Sequence, residues 1–289
     1  MSAKEIVTRF APSPTGYLHL GHVRSALEGW WAARQSGGRF LLRLEDIDRS
    51  RCRNEYAAAI LEDLTWLGIG WDGPVRRQSE HFDDYRRTLA RLERLGVLYP
   101  CFCTRREIQA EIARADGAPQ GEAGPLYPGT CRKLDLADRL AKERAGLDFA
   151  LRLDLARALA LTGPLDWIEE GSGTPERVTA DPMMLGDVVL ARKDVPASYH
   201  LAVTVDDALQ GVTLVTRGED LAPATHVHRL LQALLSLLTP HYRHHPLVTD
   251  AAGRRLAKRD RALTIRAMRA SGIRPSEVIA QAMSAEPRC

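Results

Sequence analysis

Thr8-Arg9-Phe10-Ala11-Pro12-Ser13-Pro14-Thr15-Gly16-Tyr17-Leu18-His19-Leu20-Gly21-His22 is the stretch that decides the fold. Before it, Ile6 to Phe10 has the pattern of a short buried strand. After it, His22 to Ser36 reads as a helix closed by Gly37-Gly38. Strand, tight loop and helix N-terminus in that order make a phosphate site, with free backbone N–H groups and the positive end of the helix dipole facing the loop. Gly21 has no Cβ, so a nucleotide can approach the backbone closely. His19 and His22 are three apart and fall on one side of the first turn, where imidazoles can donate to phosphate oxygens.

Downstream the β and α patterns alternate, which predicts a parallel sheet. Phe40 to Leu44 is a second buried strand and ends in Glu45-Asp46-Ile47-Asp48, where open α/β sheets bind ligands. Asn54 is a candidate cap for a helix with Ile60, Leu64 and Leu67 inside. Another helix carries Phe82, Tyr85, Leu89, Leu92 and Leu95 on one face and stops at Gly96. From about Tyr99 the pattern changes. Thr104-Arg-Arg-Glu107 is a capping box for a helix over 105–115. A Gly/Pro-rich loop follows over 116–130, then a helix over 136–145 and strands over Phe149–Leu155 and Leu165–Ile168. Strand patterns return at Asp187–Ala191 and Gly211–Arg217, with 199–210 ambiguous between strand and helix. Thr225 to Leu238 reads as a helix, and two short helical stretches, 262–270 and 275–284, end the chain.

The expected fold class is α/β: a Rossmann-like nucleotide-binding parallel sheet with an inserted zinc-bearing α+β subdomain and a short C-terminal helical segment. Residues 1–98 and 180–240 would form the core, 99–179 the insertion, and 241–289 a segment with the basic run Arg254-Arg-Leu-Ala-Lys-Arg259 and the terminal helices. The 289 residues suffice for one or two domains. The longest apolar stretch, Leu230 to Leu238, is too short to span a bilayer, and Met1 to Glu5 has no apolar signal region. A cytoplasmic protein without membrane contact is the expectation. A net charge of +3 permits a nucleic-acid partner without demanding one. Five cysteines, an odd number, argue against a disulfide framework, and three of them cluster at Cys101, Cys103 and Cys131. Three nearby thiolates suit structural zinc, which takes four ligands.

The run R-F-A-P-S-P-T-G-x-L-H-L-G-H resembles the signature of class I aminoacyl-tRNA synthetases in the form carried by the glutamyl and glutaminyl branch. That resemblance implies ATP-dependent activation of L-glutamate. It implies that Arg9 and Arg217 hold the side-chain carboxylate, that Glu45 holds the α-ammonium, and that Ser13 and Tyr199 close the pocket, with Phe10, Ala11 and Pro12 in the same glutamate site. Two guanidinium groups favour a carboxylate over an amide. ATP, with Mg²⁺, falls to His19, Gly21, His22 and Lys258. The family's late K-M-S-K-S loop aligns with Arg255-Leu256-Ala257-Lys258-Arg259, which keeps the second lysine, replaces the first by arginine and lacks the serine.

The fourth metal ligand also comes from the resemblance. The glutamyl-queuosine branch pairs C-x-C with Y-x-x-x-C, and Cys101-x-Cys103 with Tyr127-x-x-x-Cys131 has that spacing, for one zinc per chain. Only about thirty residues follow Lys258, too few for an anticodon-binding domain. The implied partners are ATP, L-glutamate and tRNA(Asp) carrying queuosine, read through its anticodon stem-loop by a monomer. Two alternatives remain open: a truncated glutamyl-tRNA synthetase charging an acceptor end, and a catalytically inactive zinc-bearing RNA-binding relative.

Overall fold

A computed structural model describes residues 5–114, 120–121, 124–171, 173–248 and 264–284, with the side chains of 111–125 excepted. The expected lysine loop at 255–259 lies outside the described residues. In chain order the elements are β1 (Val7–Phe10), α1 (Leu20–Gln35), β2 (Arg39–Leu44), α2 (Asn54–Trp66), β3 (Arg76–Arg77), α3 (Phe82–Arg94), β4 (Leu98–Cys101) and α4 (Arg105–Arg114). Then come β5 (Gln120–Gly121), β6 (Gly124–Pro125), α5 (Leu136–Arg144), β7 (Ala150–Leu153), α6 (Leu155–Thr162), β8 (Asp166–Glu169), β9 (Glu176–Thr179) and β10 (Val189–Arg192). The last are α7 (Tyr199–Leu209), β11 (Leu214–Gly218), α8 (Ala222–Leu234), β12 (His241–His245), α9 (Ile265–Ala270) and α10 (Pro275–Ser284).

Two parallel sheets meet at β1 and β11. One has the order β1-β2-β3; the other runs β11-β12-β8, with β9 antiparallel at its edge. The Thr213 N–H donates to the Val7 carbonyl (2.9 Å), and the Val7 N–H donates to Thr213 Oγ1 (2.8 Å). One apolar layer packs α1, α2, α9 and α10 on β1 and β2 through Val23, Leu27, Ile60, Ile265, Met268 and Val278. A second layer packs α3, α6, α7 and α8 together with β7 and β10, through Tyr85, Leu92, Leu153, Leu201 and Leu230. Helix α1 lies close against the sheet because Gly29 has no side chain: a Cβ there would sit 2.9 Å from Thr216 Oγ1. No helix among the described residues is long and apolar enough to cross a membrane.

Several expectations need correction. The span Phe149–Leu155 is a strand only over Ala150–Leu153. Asp154 then accepts from the Arg157 N–H (3.1 Å) and starts α6, a helix the apolar run had concealed. Arg53, not Asn54, is the N-cap of α2. Ser198 caps 199–209 as a helix. Helix α8 starts at Ala222, where Pro223 fits the first turn, and ends at Leu234, short of the expected Leu238. Strands β9 and β12 were not anticipated. The Thr104–Glu107 capping box is present, with the Glu107 N–H on Thr104 Oγ1 (3.2 Å) and the Thr104 N–H on Glu107 Oε2 (2.7 Å).

The boundaries expected at 179/180 and 240/241 do not separate the pairing. Strand β10 joins β7 and β4 in an antiparallel sheet, β8 pairs with β12, and β12 pairs along its full length with β11.

The layers are cross-tied by a buried charge cluster on α7. Asp206 accepts from Arg76 Nε (2.8 Å), Gln78 Nε2 (2.8 Å) and Tyr85 Oη (2.8 Å). Asp207 accepts from Arg9 Nε (3.0 Å) and Arg43 Nη1 (2.7 Å). Arg43 also donates to Gln210 Oε1 (2.9 Å) and to Glu45 Oε1 (3.2 Å). Burial opposes the Arg43 charge, but Asp207, Glu45 and Asp206 outweigh it and hold the guanidinium protonated. Removing one partner from such a cluster leaves the others charged and dry. Asp206→Ala is therefore expected to cost ~3–5 kcal/mol in urea unfolding. A loss below ~1 kcal/mol would show that α7 is held by its apolar contacts alone.

Candidate active site and metal centre

The carboxyl ends of β1, β2, β11 and β12 open on one cavity of about 420 Å³. Arg9, Phe10, Ala11, Pro12 and Ser13 line it at the end of β1. His19, Gly21 and His22 line it at the start of α1, and Glu45, Tyr199 and Arg217 complete it. Every residue expected to hold glutamate or ATP thus shares this cavity, except Lys258, which lies outside the described residues.

The helix N-terminus differs from expectation in its hydrogen bonds. His19 is the N-cap, and its Nδ1 accepts from the Gly21 N–H (3.1 Å). His22 Nδ1 in turn accepts from the His19 N–H (3.2 Å), and the ring centroids lie 3.8 Å apart. These two N–H groups are therefore occupied, and the His19 ring covers Gly21: a Cβ there would meet His19 Cε1 at 3.1 Å. Because both Nδ1 atoms accept, each neutral ring carries its proton on Nε2, where it can donate to an anion.

The two guanidinium groups are not equivalent. Arg9 is paired with Asp207 and also donates to the Thr216 carbonyl (3.1 Å). Burial alone would raise the Asp207 carboxyl, but Arg9 and Arg43 reverse this and hold it below its ordinary range. Arg217, only 5% exposed, has neutral neighbours instead. It donates from Nε to His244 Nε2 (3.1 Å), and from Nη1 to Tyr199 Oη (3.2 Å) and His228 Nδ1 (3.3 Å). Its Nη2 donates to Thr225 Oγ1 (2.5 Å). Glu45, held by Arg43, has its pKa raised by burial, against the pull of Arg43 and Arg9.

A second cavity of about 510 Å³ adjoins the first and shares Ser13, Thr15, Glu45 and Tyr199 with it. Its outer walls are Ile47, Asp48 and Arg51 on one side and Val189, Ala191 and His200 on the other.

The cysteine cluster is assembled at β4 and the loop before α5. The sulfurs of Cys101, Cys103 and Cys131 lie within 4.8 Å of one another. Tyr127 Oη is 3.3 Å from Cys101 Sγ and 3.7 Å from Cys103 Sγ, and it accepts from the Cys131 N–H (2.9 Å). Burial and the neighbouring Cys131 push the Cys103 thiol up to about 12. Four acidic donors converging this closely fit a cation, which favours their deprotonated forms.

Residues 5–283 match the family described as tRNA synthetases class I (E and Q), catalytic domain. The chain belongs to the class I tRNA synthetases of the E and Q type. It is a ligase of the aminoacyl-tRNA synthetase kind, and its family acts with ATP on glutamate and tRNA. It is 49% identical over 279 residues to a glutamyl-Q tRNA(Asp) synthetase of Rhodobacter capsulatus, covering 94% of this chain and 98% of that protein. A glutamate–tRNA ligase of Aquifex aeolicus is 38% identical over 94% of this chain and 55% of its own length. Among solved structures, a glutamate tRNA ligase of Elizabethkingia meningosepticum in complex with its amino acid matches at TM-score 0.73 and 30% identity, over 89% of this chain. The chain spans about half of that ligase, 52%.

Sequence reasoning missed Asp206, Asp207, Thr225, His228, His244 and Glu169. The adjacent acids at 206–207 and the histidine-rich run 241–245 were the available signals. His200 is half-buried beside Arg217, and desolvation and that charge together lower its pKa from 6.5 to about 4. A histidine depressed in the folded state leaves the unfolded chain to bind the proton first. Stability is thus full above pH ~6.5, falls as pH drops from there towards ~4, and levels below. Between pH 7 and pH 5, wild type is expected to lose on the order of 2 kcal/mol more than His200→Gln in urea unfolding. Equal losses would show that the ring does not stay neutral.

Proposed function

We propose that this chain activates L-glutamate with ATP and transfers it to queuosine at the wobble position of tRNA(Asp). The observation that carries the glutamate reading is Arg217, a buried cation whose hydrogen-bond partners are all neutral, facing the cavity that also holds Glu45 and the α1 N-terminus. Queuosine as the acceptor is supported by the glutamyl-Q relatives, one of which the chain covers almost completely.

In the first step the glutamate α-carboxylate attacks the α-phosphorus of ATP and pyrophosphate departs. Arg217 fixes the side-chain carboxylate, Glu45 takes the α-ammonium, and the phosphates lie against the start of α1. There the Nε2–H groups of His19 and His22 add donors, and Lys258 adds charge. Mg²⁺ accompanies ATP and neutralises phosphate charge. In the second step an acceptor hydroxyl reaches the glutamyl carbonyl from the second cavity. An ester bond forms, the mixed anhydride breaks, AMP leaves with the electron pair, and the hydroxyl proton passes to its phosphate. The shared rim of Ser13, Thr15, Glu45 and Tyr199 is where the two substrates would meet.

The metal is zinc in this reading, bound by Cys101, Cys103, Tyr127 and Cys131 in a structural role. The Arg152 guanidinium, 3.8 Å over the Tyr127 ring, offsets the anionic ligand set. Metal analysis of protein prepared without chelator is expected to find about one zinc per chain, and Cys131→Ser to lose it along with thermal stability. Full-length protein free of zinc would remove this assignment.

The test of the function is transfer of labelled glutamate to tRNA(Asp) with and without queuosine. Transfer only to the queuosine-containing RNA is the expected result. Charging of queuosine-free tRNA at its acceptor end would instead support a glutamate–tRNA ligase. Ala191→Trp, which fills the second cavity, is expected to keep glutamate-dependent pyrophosphate exchange and lose transfer at least tenfold. Undiminished transfer would place the acceptor elsewhere.

A further inference from the structure

Glutamate and glutamine differ at one group, a carboxylate against an amide of nearly the same shape. Contact surface distinguishes them poorly, and charge must do it. Two arginines reach the cavity, but Arg9 is already neutralised by Asp207 at 3.0 Å. Among the described residues, no carboxylate forms an ion pair with Arg217. Its partners are a phenol, a threonine hydroxyl and two imidazoles.

The chemistry of these bonds fixes the state of both imidazoles. A guanidinium only donates, so His228 Nδ1 must accept and the His228 proton sits on Nε2. That proton points at His200 Nδ1, 3.2 Å away, which therefore accepts as well. Burial and the Arg217 charge both hold His228 well below its ordinary pKa, so it stays neutral. On the other side, His244 Nε2 accepts from Arg217 and its Nδ1 donates to Glu169 Oε2 (2.9 Å). The carboxylate of Glu169 is thus kept one imidazole away from the guanidinium. The cage holds Arg217 in place without cancelling its charge.

We propose that this neutral cage sets the choice of a carboxylate over an amide, and that His228 is the deciding position in it. The inference rests on the glutamate reading of the cavity. A buried cation without a counter-ion gains most from a ligand that brings one. A glutamate side chain does so; a glutamine side chain fills the same space and leaves the charge unmatched. His228, 2% exposed, does not line the cavity and so acts through Arg217 as a positioning residue. A carboxylate at 228 would face the same Nη1 and take the place of the substrate's charge. A glutamine at 228 would keep the cage neutral, because its Oε1 can accept from Arg217 while its Nε2 donates to His200.

The experiment measures pyrophosphate exchange with glutamate and with glutamine, and reads kcat and KM for each. His228→Glu is expected to raise KM for glutamate at least tenfold, with KM for ATP unchanged, and to shrink the glutamate-to-glutamine ratio of kcat/KM at least tenfold. His228→Gln is expected to keep that ratio within about threefold of wild type. Thr225→Asp places a carboxylate at Nη2 instead and should reproduce the His228→Glu effect if His228→Glu does not fold. An unchanged ratio in a folded carboxylate variant would overturn the inference, as would a collapse in His228→Gln as large as in His228→Glu. If wild type itself fails to activate glutamate, the glutamate reading falls, and the inference with it; if wild type selects glutamate and the variants keep its ratio, only the cage falls.

Discussion

The pairing of Asp206 and Asp207 with Arg9, Arg43 and Arg76 is the constraint on which the rest of the site depends. These two adjacent acids tie α7 to β1, β2 and β3, which otherwise contribute little more than four, six and two residues of strand. Buried charges are tolerated only when matched and hydrogen-bonded, and this cluster meets that condition across elements far apart in sequence. Its geometry has a chemical consequence. It consumes the charge of Arg9, steadies Glu45 through Arg43, and leaves Arg217, the other arginine lining the cavity, without an ion-paired carboxylate among the described residues.

What was legible in the sequence was local. The run from Arg9 to His22 announced strand, loop and helix together, and the residues it carries do converge on one cavity. The apolar strands β1 and β2 and the stripes of α2 and α3 followed from periodicity. The cysteine spacing anticipated a cluster with Tyr127 beside it. The illegible parts are held by long-range polar bonds. His241-Tyr-Arg-His-His245 has no apolar run, yet it forms a strand inside the sheet, because β11 pairs along its length and Glu169 bonds His244. The Val-Thr-Val alternation inside α7 looks equally like a strand, and only Ser198 and the two acids decide for helix. Spacing alone also could not show that Arg9 is paired or that the His19 ring sits over Gly21, since both depend on side-chain direction.

The two cavities give the site a division of labour. In the proposed reaction glutamate and the ATP phosphates would share the one that ends at α1, and the acceptor would come through the one walled by Val189, Ala191 and His200. The chain from Glu169 through His244, Arg217 and His228 to His200 meets the first at Arg217 and the second at His200. Neutral imidazoles suit that position: they fix direction without adding charge, and burial and the Arg217 charge hold His200 and His228 below their ordinary pKa.

The measurement closest to the centre of this account is a crystal structure of the protein with bound glutamate. The account predicts the side-chain carboxylate within hydrogen-bonding distance of Arg217, with Arg9 still paired to Asp207 and Glu45 beside the α-ammonium. A carboxylate seated on Arg9 with Asp207 displaced, or glutamate bound in the second cavity, would contradict it.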